Sequence, residues 1–178
     1  MRLRIHPDAD IGSSKPMSPS VKNQTVTKFT WPKNYYPGSL ISVSSKFIAY
    51  VIRGKSDAVR VLNRHTATRV LLKGFHAPVC DIAFAHPNSS LFGAIDETGT
   101  LIIFTIDQKK EHKIIHSSIL LKLDRAHCPR SVWHRLVWSP KIGKTEEGDT
   151  SADGLYCATT SNTVVEVWRI ESVIELGL

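Results

Sequence analysis

Spacings that would make a disulfide framework or a metal site are missing from this sequence. Its three cysteines, Cys80, Cys128 and Cys157, form no Cys-x-x-Cys pair and no even set. Neither a disulfide-stapled scaffold nor a cysteine-based zinc site is therefore expected, and a reducing compartment fits best. Cys80 sits in an apolar run and reads as a small core residue. The eight histidines are scattered. His112 and His116 fall four apart, which places them on one face of a strand, but no neighbouring residue completes the set of about four ligands that zinc takes. No run approaches about 18 apolar residues, so no helical membrane span is expected. Met1-Arg2-Leu3-Arg4 leads into polar residues rather than the apolar core of a signal peptide. The nucleophile elbow Gly-x-Ser-x-Gly and the phosphate-cradling glycine loops are absent. Acidic residues cluster only at Glu146-Glu147-Gly148-Asp149, a solvated loop in composition. No catalytic residues, cofactor or metal are assigned, and an enzyme is not expected.

What the chain does have is enough apolar material for one core: 178 residues at 42% hydrophobic, within the usual size of a single domain. Its formal charge is +7, from 23 Lys and Arg against 16 Asp and Glu. That balance suits acidic partners such as RNA or acidic protein segments. The bases Arg53, Lys55, Arg60, Arg64, Lys73, Arg125 and Arg130 are the residues an RNA contact would use. They do not alternate with aromatics as a single-strand platform would, so a solubilising basic surface is the competing reading.

Residues 1–24 contain Pro7, Pro16 and Pro19, several serines and almost no apolar pattern, the composition of a disordered tail. Order is expected from residue 25 to residue 178. Val26, Phe29 and Trp31 are apolar anchors before the turn-rich PKNYYPG. Short strands are predicted over residues 40–43, 46–53, 58–62 and 69–72, joined by polar turns. Val79, Asp81, Ala83 and Ala85 alternate with the apolar Cys80, Ile82 and Phe84, a strand pattern of period two. His86-Pro87-Asn88-Ser89-Ser90 is a turn, and residues 91–95 form the next strand. Asp96-Glu97-Thr98-Gly99 is a tight turn, with Gly99 in a conformation glycine adopts easily, and residues 100–106 are rich in β-branched side chains. Residues 113–123 read as a long strand with a bulge near His116-Ser117-Ser118, or as a helix. A further unit starts at Val132, ends its first strand at Ser139-Pro140, is interrupted by an insertion over residues 142–153, and continues with strands at 155–160 and 164–170.

Three segments share one plan of apolar strand, tight turn and apolar strand: KFIAYVIR-GKSDA-VRVL, SLFGAID-ETGT-LIIF and GLYCATT-SNT-VVEVW. Units of this kind stack on one another because none can bury its own face. With four strands in about 40–45 residues, they have the plan of WD-type β-propeller blades. The fold class expected is all-β, with about three blades and no closed ring, since rings take about 4–8 blades. The blade at each end then leaves apolar residues uncovered: Phe47, Ile48 and Tyr50 at one, Val165 and Val167 at the other. The blade signature falls on Gly74, His76, Asp96, Gly99 and Trp168. Gly74-Phe75-His76 stands where WD repeats carry Gly-His, and Trp168-Arg169 where they carry Trp-Asp. His76 either bonds Asp96 through its side chain, as in WD blades, or is a surface turn residue.

A narrower resemblance rests on Tyr-Tyr-x-Gly-x-Leu-Ile at residues 35–41, Phe-Ile-Ala-Tyr at 47–50, Leu-Leu-Lys-Gly-Phe at 71–75, Asp-Ile-Ala-Phe-Ala-His at 81–86, Arg-Leu-Val-Trp-Ser-Pro at 135–140 and Val-Glu-Val-Trp at 165–168. Over residues 22–171 the chain resembles the N-terminal WD-repeat region of the enhancer of mRNA decapping protein 4 family. The resemblance implies a scaffold of cytoplasmic processing bodies that brings a decapping activator and the decapping enzyme together and promotes 5′ cap removal. It also implies a longer protein, with a Ser-rich linker and a helical C-terminal region, of which this chain would be an N-terminal piece. Trp31, Tyr35 and Tyr36 form a partner-binding surface or pack onto the first blade; Trp138 and Trp168 are expected in the core.

Overall fold

The computed structural model describes residues 35–53, 57–108, 114–139, 156–161 and 164–170, all within the unit Asn34–Leu178. The expected tail at 1–24, Trp31 and the insertion at 142–153 lie outside the described residues.

Among the described residues, three antiparallel sheets follow one another along the chain. β1 (Ile41–Val43), β2 (Phe47–Ile52), β3 (Ala58–Asn63) and β4 (Arg69–Leu72) pair in sequence order. β5 (Val79–Phe84), β6 (Leu91–Asp96), β7 (Leu101–Asp107) and β8 (His116–Leu123) do the same. β9 (Arg135–Trp138), β10 (Tyr156–Ser161) and β11 (Val164–Arg169) form a three-stranded sheet with β10 in the middle. The first strand of each sheet is innermost, and β5 packs between β1 and β9. Short polar turns between β-branched runs permit only this meander, because each hairpin fixes the register of the next strand. The expected partial propeller of about three blades is what the described residues build.

Aromatics join the first blade to the second. Phe84 stacks on Phe47 at 6.5 Å between centroids and tilts against Phe92 at 4.9 Å, distances at which aromatic pairs attract beyond their area burial. Cys80, Ile95, Leu101, Ile103, Leu136, Trp138 and Ile170 form the core between the second and third blades. Trp138 is anchored by its indole N–H, which donates to the Ala83 carbonyl at 3.1 Å. Gly93 leaves room for this contact: a Cβ there would lie 2.4 Å from Leu136 Cδ2.

Several expectations are corrected. The alternation over β5 does not separate core from solvent, because a middle blade is covered on both faces; Val79, Cys80, Asp81, Ile82 and Phe84 are all buried. Residues 116–123 are strand, the first of the two readings, but the register slips at Leu120, opposite Ile103 and Phe104, rather than at residues 116–118. A second slip sets Cys80 between Val79 and Asp81, where its thiol reaches the carbonyls of Ile95 and His134. The third blade's first strand begins at Arg135, because Val132 and Trp133 lie in a turn. Phe47 and Tyr50 are buried and Ile48 is half-buried, so the first blade does not expose them; Phe47 faces the second blade. The exposed pair there is Ile41 and Val43. At the other end Val165 and Val167 are exposed as expected, joined by Val137. All three lie on one face, because Val137 and Val167 both pair with Ala158 and Val165 is two residues from Val167.

Candidate functional site

The hairpin between β6 and β7 is built around Asp96. Gly99 takes φ +83° and its N–H donates to the Asp96 carbonyl at 2.9 Å. The Asp96 N–H donates to the Thr100 carbonyl at 3.2 Å, closing the three-residue loop in which a left-handed glycine ends a type I turn. The Asp96 side chain is fully buried. Oδ1 accepts from the N–H groups of Thr98 and Thr100, at 2.9 and 3.1 Å, and from the Thr98 hydroxyl at 2.5 Å. Oδ2 accepts from the backbone N–H of His76 at 2.9 Å and of Ala77 at 3.3 Å. One carboxylate thus holds both its own hairpin and the loop leading into β5.

The imidazole of His76 does not take part. Its Nε2 lies 2.8 Å from Asp124 Oδ2, and Lys122 Nζ is 3.0 Å from the same oxygen. Bonds from His76, from the Ala126 N–H and from Lys122 hold the Asp124 carboxyl well below the usual carboxylate range. The reason is one inserted residue. Phe75 stands between Gly74 and His76 and turns onto Phe104 at 6.3 Å, which puts the histidine outside. Gly74 accommodates the bend at φ +112°.

Gly99→Val should destabilise the chain by about 1–3 kcal/mol, since the new side chain meets both left-handed backbone and a close neighbour. A Cβ at Gly99 would lie 3.0 Å from His134 Cε1. Urea denaturation reads the loss, and an unchanged midpoint would contradict the turn.

In the third blade Trp168 is half-buried, and its indole N–H donates to Thr159 Oγ1 at 3.2 Å. An Arg–Glu pair stands beside it: Arg125 Nη2 donates to both Glu166 oxygens at 2.6 Å. The Arg125 backbone N–H donates to Thr100 Oγ1 at 2.9 Å, so this residue ties the second blade's hairpin to the third blade's sheet. Nothing in the local spacing of Arg125 and Glu166 announces that pair.

Sequence reasoning also missed Asp81. Its Oδ1 accepts from the N–H of Ser39 at 2.8 Å and of Ile82 at 3.1 Å, and its Oδ2 from the N–H of Leu136 at 3.0 Å. The three inner strands begin at this carboxylate. Burial pushes the carboxyl up, and the amides of Leu136, Ser39 and Ile82 with the charge of Arg135 offset part of that. The available signal was an acid between Cys80 and Ile82 in an apolar strand, since such a side chain is rarely buried without partners.

The shared carboxylate places the lead-ins to β1, β5 and β9 at one end of the blades, where they form a connected face. The Arg53 guanidinium lies 4.7 Å from the Tyr36 ring centroid, donates to the Val79 carbonyl at 3.0 Å and pairs with Glu97 at 3.6 Å. The Glu97 carbonyl accepts the Ser131 N–H at 2.6 Å, and Ser131 Oγ accepts the Trp133 N–H at 3.2 Å. Tyr36 therefore packs on the first blade, while Tyr35 is 81% and Trp133 59% exposed. Of the bases an RNA contact would use, Arg53 and Arg125 are engaged by carboxylates, and Arg64 Nη1 donates to the carbonyls of Ser44 and Ser45 at 3.2 and 3.3 Å. Lys73 and Arg130 are exposed, and Lys55 lies outside the described residues.

Comparison with known proteins gives a consistent result. The family model described as the WD40 region of Ge1, enhancer of mRNA-decapping protein, matches residues 12–175. The chain is 34% identical over 168 residues to Enhancer of mRNA-decapping protein 4 of Homo sapiens and 35% identical over 170 residues to that of Danio rerio. Each alignment covers 92% of this chain and 12% of the relative. The Drosophila melanogaster homolog is 35% identical over 106 residues, 54% of this chain and 8% of the relative. The chain spans 12% of the length of the vertebrate relatives it matches. No solved structure matches it.

Proposed function

Since the chain belongs to the family of Ge1 WD40 regions, enhancers of mRNA decapping, we propose that it is a non-enzymatic binding domain in mRNA decapping. In this reading it holds a decapping activator and the decapping enzyme in cytoplasmic processing bodies and so promotes 5′-to-3′ mRNA decay. The match over residues 12–175 carries the reading. The fold supports it: Asp81 and Asp96 spend their carboxylate oxygens on backbone N–H groups, joining blades and loops rather than facing a substrate. A domain assembled this way offers a fixed surface to partners.

Co-precipitation of the purified chain with recombinant decapping activator and decapping enzyme is the test. Retention of at least one of them is expected, and failure to retain either would defeat the proposal. The formal charge of +7 and the exposed Lys73 and Arg130 favour RNA contact as a second reading.

A further inference from the structure

We infer that two copies of this chain join through both of their outer blades, the third blade of each stacking on the first blade of the other, to close a ring. The inference is independent of the decapping reading and concerns how the domain assembles.

The two junctions inside the chain follow one rule: one face of a blade receives the innermost strand of the next. At the first junction β5 packs on β1 and β2, with Phe84 stacked on Phe47. At the second, β9 packs on β5 and β6, with Leu136 and Trp138 over Gly93. Each blade therefore has an inserting face, turned to the blade before it, and a receiving face, turned to the blade after it.

One face of each kind is left in solvent. Leu136 and Trp138 point from β9 to the second blade, so Val137 between them points away. Val167 shares that face, because Ala158 pairs with both valines, and so does Val165 two residues before it. Val137 is 63% exposed and Val165 and Val167 are each 66% exposed, on what is the receiving face of the third blade. At the other end Phe47 points to the second blade, so Ile48 and Tyr50, in alternation with it, point away. Ile41 and Val43 pair with Tyr50 and Ile48 and share their face. They are 62% and 55% exposed on β1, the innermost strand, where an inserting blade carries Phe84 on β5 or Trp138 on β9.

A second copy supplies the counterpart of both faces at once. By the rule of the two internal junctions, Val137 of one copy meets Ile41 and Val43 of the other, and the same contact recurs across the twofold axis. The contact is apolar: Arg60 and Arg69, on the first blade's outward face, stand on β3 and β4, away from β1. A contact between unlike surfaces makes a ring only where the rotation closes and a filament where it does not. Three sheets from each of two copies give six blades, inside the range of about 4–8 that rings use.

Sedimentation of the purified chain at micromolar concentration tests this. A single species of twice the chain mass is expected. Val137→Glu and Ile41→Lys should each give monomers with the parent's circular dichroism, because either change places a charge in both junctions. Mixed in equal amounts, the two variants should pair again: one junction is then unaltered and the other sets Glu against Lys. That recovery also shows that both variants are folded. A parent that stays monomeric would overturn the inference, as would a polymer that lengthens with concentration, since its contact does not close. Pairing that survives Ile41→Lys would place two valine faces against each other and equally overturn it. So would a mixture of the two variants that remains monomeric.

Discussion

Asp81→Asn should cost on the order of 2–4 kcal/mol of folding stability, one of the two largest single-site effects expected in this chain. The side chain is 5% exposed and accepts three backbone N–H groups drawn from the lead-in to β1, from β5 and from β9. An amide of the same shape turns one acceptor into a donor aimed at an N–H. Either Leu136 loses its partner or Ser39 does, with Ile82 left only its bond to the Ser39 carbonyl, and a buried donor left unmade carries its full desolvation cost. The pH dependence has a definite sign. Burial, the larger effect, raises the native carboxyl above its usual 3.8. The native state therefore binds more protons than the unfolded chain between that value and the raised one, and this group's contribution to stability falls as pH rises through the window. Chemical denaturation at several pH values, for the parent and for Asp81→Asn, should show that component of the slope in the parent and its loss in the variant. Equal stabilities at neutral pH would contradict the role given to Asp81.

Gly38→Ala should be comparably damaging, at about 3 kcal/mol or more, the upper end for overpacking. A Cβ at position 38 would lie 2.0 Å from the Cys80 carbonyl oxygen and 3.0 Å from its carbon. These are backbone atoms of the innermost strand and cannot swing aside as a side chain would. Relieving the clash moves Ser39 away from Asp81 and breaks the bond from the Ile82 N–H to the Ser39 carbonyl, now 3.0 Å. Gly74→Ala is the informative comparison. Its φ of +112° makes alanine strained, but the nearest atom is 3.6 Å away, so a loss of only about 1–2 kcal/mol is expected. Urea midpoints of the two variants should separate clearly; similar midpoints would show that the approach of Gly38 to β5 is not the constraint.

The strands were legible because their runs are β-branched and apolar and their turns are short and polar. The Asp96–Gly99 hairpin was legible because its acid, its glycine and its spacing are all local. What escaped the sequence depends on contacts across long separations. Asp81 meets donors 42 and 55 positions away, so its strand pattern looks like ordinary alternation. Arg125 and Glu166 are 41 apart. The choice between the two readings of His76 turns on a different feature: the offset of one residue introduced by Phe75 decides whether a ring points at Asp96 or at Asp124, and a motif match does not register it. The expected exposure of Phe47 and Tyr50 failed because facing directions in the first blade depend on which side the second one packs. Tyr35 and Tyr36 were visible as a pair of aromatics, while the link from Tyr36 to Ser131 runs through Arg53 and Glu97, residues far apart in the sequence.

Salt dependence of binding tests the central claim, that this is a protein-binding domain of the decapping-enhancer family, most directly. The dissociation constant of the chain for the recombinant decapping activator, and for a single-stranded RNA, should be measured between about 50 and 200 mM salt, the range over which phosphate contacts lose affinity by orders of magnitude. The account predicts binding to the protein that changes only a few-fold across that range, and RNA binding that is weak and collapses with salt. Tight RNA binding with a steep salt slope, accompanied by no measurable affinity for the protein, would contradict it.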